Sequence, residues 1–257
     1  MYGQSKLVFH ADLDNTLIYS CRHEIGQDKV CVELYQGREV SFMTSRSMRL
    51  LRQVKEKTVF VPTTTRTKEQ YDRICMGAGA LDYALVCNGG VLLVGGKEDE
   101  DWYQASLRLV SKCREELKTA ARLLEMDENR TLDVRNIRDL FLFTKSADPI
   151  ASAAKLRAVL DPGLTDILLN GVKVYVLPKH LDKGTAVRRF SDRVQAGKII
   201  AAGDSTFDLP MLEAAGTALA PETLAKMCRP GGHVIGVGKD QVFSDAVLEY
   251  VLSVLKQ

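Results

Sequence analysis

Val8-Phe9-His10-Ala11-Asp12-Leu13-Asp14-Asn15-Thr16 carries an apolar run straight into two carboxylates. Leu7 to Ala11 reads as a buried strand, and the acids after it read as a loop at the strand's carboxyl end. Two aspartates two residues apart cannot both be hidden in an apolar core, because burying a charge is costly. A cation would relieve their repulsion. One carboxylate can then act as a nucleophile and the other as a general acid/base. An Asp-x-Asp pair alone reads more readily as an acidic turn or a helix cap, so its meaning depends on the rest of the chain. His10, on the strand itself, reads as a satisfied core histidine rather than a catalytic group.

Three further segments bear on it. Val59-Phe60-Val61-Pro62-Thr63-Thr64-Thr65-Arg66 ends a β-branched run in hydroxyls, which serve as phosphate ligands or as a helix cap. Leu181-Asp182-Lys183-Gly184-Thr185-Ala186 places a lysine at a helix start, where the dipole prefers anions; alone it reads as a solvated surface lysine, and the conflict with the dipole hints at an anion nearby. Ile199 to Ala202 is an apolar strand running into Gly203-Asp204-Ser205-Thr206-Phe207-Asp208. There Asp204 looks like a hard-metal ligand, and Asp208 could cap the next helix.

The alternation of strand and helix sets the architecture. Before residue 88 we expect a hairpin over Lys29 to Phe42, a helix over Thr44 to Lys55 capped by Thr44 or Ser45, a strand over Thr58 to Val61, a helix from Lys68 to Met76 and a strand from Tyr83 to Cys87. The middle is built differently. It has a long amphipathic helix over Asp101 to Met126, strands at Thr131 to Val134 and Leu140 to Thr144, a helix from Pro149 to Leu160, and a hairpin about Asn170-Gly171. Single strands and helices resume with Lys183 to Val194, Lys198 to Ala202 and Leu209 to Ala214, then late strands near Ala218 to Ala220 and Val234-Ile235, and a last helix over Phe243 to Leu255. This predicts an α/β fold: a doubly wound parallel-sheet core of residues 1–88 and 180–257, with an inserted α+β domain over 89–179. In such a sheet the four segments converge at the carboxyl ends of the strands.

Taken together, Asp-x-Asp-x-Thr, a strand-end threonine, a lysine and Gly-Asp-x-x-x-Asp resemble the haloacid dehalogenase (HAD) superfamily of hydrolases. Leu85-Val86-Cys87-Asn88-Gly89-Gly90 and Leu181-Asp182-Lys183-Gly184-Thr185-Ala186 are similar to its Cof-like, sucrose-phosphatase-like branch, in which a large α/β cap covers the site and chooses the substrate. The resemblance implies that Asp12 attacks phosphorus and that Asp14 protonates the leaving oxygen and then activates water, which calls for a raised pKa at Asp14. It implies that Thr64 and Lys183 complete the catalytic set. Asn15, Thr64, Thr65, Arg66 and Lys183 would hold the substrate phosphate. Mg²⁺ would be held by Asp12, the Asp14 carbonyl, Asp204 and Asp208, the last directly or through water. Phe207 departs from the usual asparagine, and Pro62 and Thr65 depart from the usual second motif. Arg135, Asn136, Arg138 and Lys173 are candidates for cap specificity, although each reads more readily as a solvated surface residue.

The implied function is a Mg²⁺-dependent phosphatase acting on a small phosphate monoester, such as a sugar or polyol phosphate. Phosphotransfer of the mutase kind and a non-catalytic phospho-ligand-binding regulatory role are the alternatives; retention of both Asp12 and Asp14 argues against the last. The net charge of +2 gives no basic field for nucleic acid, and no apolar run reaches the roughly 18 residues of a membrane span. No Gly-x-x-x-x-Gly-Lys-Ser/Thr loop is present. Met1 to Val8 lacks the apolar stretch of a secretory leader, and the six cysteines form no Cys-x-x-Cys pair. Reduced, mostly buried thiols and a cytoplasmic location are therefore expected. The sequence leaves the oligomeric state open.

Overall fold

The computed structural model describes residues 6–229 and 233–256; residues 1–5 of the stretch weighed for a leader lie outside them. The chain forms two compact units, Met1–Asp99 with Lys183–Gln257, and Glu100–Asp182.

The first unit begins with β1 (Lys6–Ala11), β2 (Tyr19–Ser20), β3 (Lys29–Tyr35), β4 (Arg38–Thr44), α1 (Ser45–Lys57), β5 (Val59–Pro62), α2 (Lys68–Tyr71), β6 (Tyr83–Val86), β7 (Val91–Val94) and β8 (Lys97–Glu98). The second contains α3 (Glu100–Val110), a 3₁₀ turn at Ser111–Cys113, α4 (Arg114–Glu125), β9 (Arg135–Ile137), β10 (Phe141–Lys145), α5 (Pro149–Arg157), β11 (Thr165–Asn170) and β12 (Lys173–Pro178). The first resumes with α6 (Lys183–Val194), β13 (Ala196–Ala202), α7 (Leu209–Ala214), β14 (Thr217–Pro221), α8 (Glu222–Ala225), β15 (His233–Val237) and α9 (Phe243–Val254).

The core of the first unit is a five-stranded sheet in the order β15-β14-β13-β1-β5, parallel throughout. Its middle strands are buried on both faces, which explains why β1 and β13 read as continuous apolar runs rather than alternating ones. Successive residues of β13 serve opposite cores: Ile200 and Ala202 pack with Leu51, Val54, Val247 and Val251, whereas Ala201 packs with Val187, Met211 and Leu212. The chain moves from β1 to β5 on one side and later to β13 on the other. The order therefore reverses about β1, and the loops after β1, β5 and β13 open at one edge of the sheet. Thr44 caps α1 by accepting from Ser47 N at 2.8 Å.

The second unit is an antiparallel sheet, β11-β12-β10-β9, with Leu117, Ala120 and Leu124 of α4 and Ala153 and Leu156 of α5 packed on Leu142, Val174 and Val176. It is the inserted α+β unit of the predicted fold class.

Several expectations change. The break between units falls after Asp99 instead of Asn88, because Cys87 and Asn88 take left-handed backbone (φ 53° and 58°) and turn β6 back into a hairpin with β7. The helix expected to reach Met76 stops at Tyr71: Ile74 bridges Glu33, and Cys75 N bonds Val32 O at 2.7 Å. The long helix over 101–126 is divided by the 3₁₀ turn, and pairing in β9 starts at Arg135 instead of Thr131. Only Cys87 and Cys113 are buried, while Cys21 and Cys75 are exposed, so the thiols are not mostly buried; none of the six is in a disulfide. Among the described residues no helix is long and apolar enough to cross a membrane.

Candidate active site

Backbone hydrogen bonds between loops fix the floor of the site. Asp12 N donates to Ala202 O at 2.9 Å, Thr63 N to Ala11 O at 2.8 Å, Thr64 N to Leu85 O at 2.9 Å and Gly203 N to Leu219 O at 3.2 Å. These bonds carry the pairing one or two residues beyond the strand ends, so Asp12, Thr64 and Asp204 stand at one edge.

Lys183, the first residue of α6, is 1% exposed and divides its ammonium between two acids. Nζ lies 2.7 Å from Asp12 Oδ1 and 2.5 Å from Asp208 Oδ1. The anion expected near this helix start is thus the pair of carboxylates. Burial would lower the Lys183 pKa, but Asp12 and Asp208 outweigh it and keep the ammonium charged.

Asp208 is fully buried. Its other oxygen, Oδ2, accepts from Asp204 N at 3.1 Å, Ser205 N at 3.0 Å and Ser205 Oγ at 2.9 Å. The side chain makes no capping bond to α7 and instead ties down the loop that presents Asp204. Gly203 is required there, because a Cβ on it would stand 2.3 Å from Asp208 Cβ and 2.5 Å from Cγ. Phe207 is buried in the same tight turn, which Asp208 N closes on Ser205 O.

Carboxylate oxygens of Asp12, Asp204 and Asp208 lie within 4.8 Å of one another. Burial and then Asp208 push the Asp204 carboxyl up to about 6. Burial also raises Asp12 well above the ordinary aspartate range, with Asp208, Asp14 and Asp204 adding to it and Lys183 opposing it. Three carboxylates against the one Lys183 ammonium leave a charge of −2 when all are ionised. Hard oxygen donors carrying two surplus negative charges suit a divalent cation such as Mg²⁺. Thr16, fully buried, donates to Asp204 Oδ1 at 3.2 Å.

The candidates separate into two groups. Asp12, Lys183, Asp204 and Asp208 come together. Thr64 lies beside them at the end of β5, where its hydroxyl accepts from Arg66 N at 3.2 Å, and Thr65 follows it half-buried. Asn15 takes left-handed backbone (φ 58°), and its side chain hydrogen-bonds the Asp204 carboxylate. Arg66 spends its guanidinium on carboxylates: Nε and Nη2 go to Asp14 and Nη1 to Glu33. His10 bonds Thr63 Oγ1 through Nδ1 at 2.9 Å, but its buried Nε2 has no partner, so it is a core histidine only half satisfied. Burial lowers His10 to about 3 and keeps it neutral. In the second unit, Asn136 bonds Asp139 within its own turn, Arg138 lies over the Tyr103 ring, and Arg135 is exposed. Lys173 pairs with Lys145 across β10 and β12.

The family model for haloacid dehalogenase-like hydrolases matches residues 88–222, which include Lys183, Asp204 and Asp208 and begin after Asp12 and Asp14. No curated protein matches the chain by sequence. Among solved structures, the chain is similar to the sucrose-phosphatase from Synechocystis sp. PCC6803 in complex with sucrose and phosphate (TM-score 0.63, 14% identity, 97% of this chain and 98% of that one). It is also similar to a haloalkanoate-superfamily phosphatase from Bacteroides thetaiotaomicron (TM-score 0.58, 15% identity, 100% and 97%) and to a trehalose-6-phosphate phosphatase related protein (TM-score 0.54, 15% identity, 98% and 100%). At these identities the likeness to the solved structures is one of fold.

Proposed function

Because the chain belongs to the haloacid dehalogenase-like hydrolase family, we propose that it is a magnesium-dependent phosphatase that hydrolyses a small phosphate monoester, a sugar or polyol phosphate, through a phosphorylated Asp12. The observation that carries this reading is the convergence of Asp12, Lys183, Asp204 and Asp208 in one buried cluster at the edge of the sheet. The sugar class is supported by two structures of similar fold, a sucrose-phosphatase in complex with sucrose and phosphate and a trehalose-6-phosphate phosphatase related protein.

Asp12 supplies the nucleophilic oxygen, and Lys183 holds that carboxylate in place and offsets charge around it. Phosphoryl transfer needs such positioning and neutralisation more than covalent assistance. Asp14 gives a proton to the departing alkoxide and then takes one from the water that cleaves the aspartyl-phosphate, so one difficult displacement becomes two easier ones. Thr64 and Thr65 offer hydroxyls to the phosphoryl oxygens. Asp208 holds the Gly203–Ser205 loop so that Asp204 faces Asp12. Bound Mg²⁺, held by Asp12, Asp204, Asp208 and the Asp14 carbonyl, would neutralise charge on the phosphoryl oxygens.

Phosphate release from a panel of sugar, polyol and nucleotide monoesters tests the proposal. It should require Mg²⁺, stop in chelator and stop in Asp12→Asn, with a sugar or polyol ester leading. Turnover that persists in both chelator and the variant would discard the mechanism, and a leading nucleotide would discard the substrate class.

A further inference from the structure

Arg66 meets Asp14 with two parallel bonds, Nε to Oδ2 at 2.8 Å and Nη2 to Oδ1 at 2.7 Å. This is the fork geometry that only a guanidinium offers a carboxylate. Its third nitrogen, Nη1, reaches Glu33 Oε2 at 2.9 Å. Glu33 is 3% exposed, on β3 of the small hairpin sheet, and is satisfied at every side. Ser41 Oγ on β4 donates to Oε2 at 2.6 Å, and Arg73 donates Nε and Nη2 to Oε1 at 3.1 and 3.0 Å.

Burial would raise the Glu33 carboxyl, but the Ser41 hydroxyl and the two guanidinium groups overcome it and hold Glu33 ionised. Negative and positive groups thus alternate from Asp14 through Arg66 and Glu33 to Arg73. The hairpin is built to make this contact. The pairing of β3 with β4 is irregular on both sides of Glu33, so Val32 and Glu33 are both buried although neighbours on a regular strand face opposite ways.

Arginine sits on a long, freely rotating stem, and a fork on one carboxylate leaves the two planar groups free to swing together. A third, buried contact fixes them. We propose that Glu33 is a positioning residue: by anchoring Arg66 from the hairpin, it fixes the fork that meets Asp14, so that a lone pair of Asp14 turned away from the fork is left to carry the proton passed to the leaving oxygen. The inference rests on the phosphatase reading above.

The dependence on leaving group tests it. An alkyl phosphate needs its departing oxygen protonated, whereas p-nitrophenolate leaves without help. The ratio kcat/KM contains only steps up to that departure, so hydrolysis of the covalent intermediate does not enter. Glu33→Gln should lower kcat/KM for the best alkyl phosphate of the panel by about tenfold or more while p-nitrophenyl phosphate changes by less than about threefold. Both esters are measured on one preparation, so a partly unfolded fraction cancels in their ratio. Glu33→Asp keeps the charge but is one methylene too short. It should shift the ratio in the same direction, and it carries the test if the glutamine variant does not fold. Equal loss on the two esters, or no loss on either, overturns the inference while leaving the phosphatase reading intact. A wild-type protein that hydrolyses neither ester removes the phosphatase reading, and the inference with it.

Discussion

Lys183 Nζ stands 2.7 Å from Asp12 Oδ1, although 171 positions separate the two residues. The contact joins the first strand of the sheet to the first residue of the chain's return from the inserted unit. Lys183 is also the ammonium set against the buried cluster of Asp12, Asp204 and Asp208. Lys183→Met should therefore destabilise the protein in chelator by about 3–5 kcal/mol, the range for removing one partner of a buried ion pair. Turnover should fall by about a hundredfold or more. Urea unfolding and phosphate release measure the two effects, and a variant as stable as wild type would deny that Lys183 is the counter-charge.

Asp208 depends on the smallest possible neighbour. Gly203→Ala places a methyl 2.3 Å from Asp208 Cβ, a stem atom that cannot move aside as a flexible side-chain end would. About 1–3 kcal/mol of stability should be lost, as for other overpacked sites. Turnover should fall too, because the loop carrying Asp204 must move. A urea midpoint and a rate equal to wild type would show that the close approach is not required.

Thr16 donates to Asp204 from a fully buried position. Removing that bond with Thr16→Val leaves the volume nearly unchanged but releases one restraint on a proposed metal ligand. The Mg²⁺ concentration for half-maximal activity should rise about tenfold, with kcat at saturating Mg²⁺ within about twofold of wild type. Titrating Mg²⁺ against rate distinguishes this from an effect on chemistry, which would lower kcat and leave the metal requirement unchanged.

A test of the second unit is independent of the site. Burial would raise the Asp127 carboxyl, but the Ser152 hydroxyl, Lys155 and Asn129 N–H outweigh it and hold it below the ordinary 3.8. The unfolded chain then binds more protons than the folded one at low pH. The stability from Asp127 is present above pH 3.8 and is lost as pH falls through the folded value. The single tryptophan, Trp102, lies buried in the same unit, so its fluorescence follows that unit's unfolding. Asp127→Asn should weaken the unit at pH 7 and flatten its acid dependence. An acid limb identical to wild type would contradict this.

The fold was legible because its decisive elements are local. The apolar runs at Leu7 to Ala11 and Lys198 to Ala202 are too short for a buried helix and read as doubly buried strands, and Thr44 caps α1 as its hydroxyl allows. Asp12 and Asp204 were legible because charged groups at the ends of parallel strands have one place to go, and Lys183 and Asp208 because they stand at the starts of the helices that follow β12 and β13. What the sequence concealed depends on tertiary pairing. Glu33 follows three apolar or thiol residues on a strand whose alternation points it toward solvent, and only the irregular register turns it inward. With Glu33 hidden, the fork of Arg66 on Asp14 is hidden too. The hairpin β6-β7 was missed because its turn uses Cys87 and Asn88 in left-handed backbone before the first glycine.

The most direct test of the account is to trap the covalent intermediate. Enzyme turning over its best phosphate ester with Mg²⁺ is quenched in acid and treated with borohydride, which reduces an acyl phosphate to an alcohol and leaves free carboxylates untouched. Peptide mass mapping should then find Asp12, and no other aspartate, converted to homoserine, only when substrate was present. Turnover with Asp12 unmodified, or conversion at another residue, would contradict the assignment of Asp12 as the nucleophile.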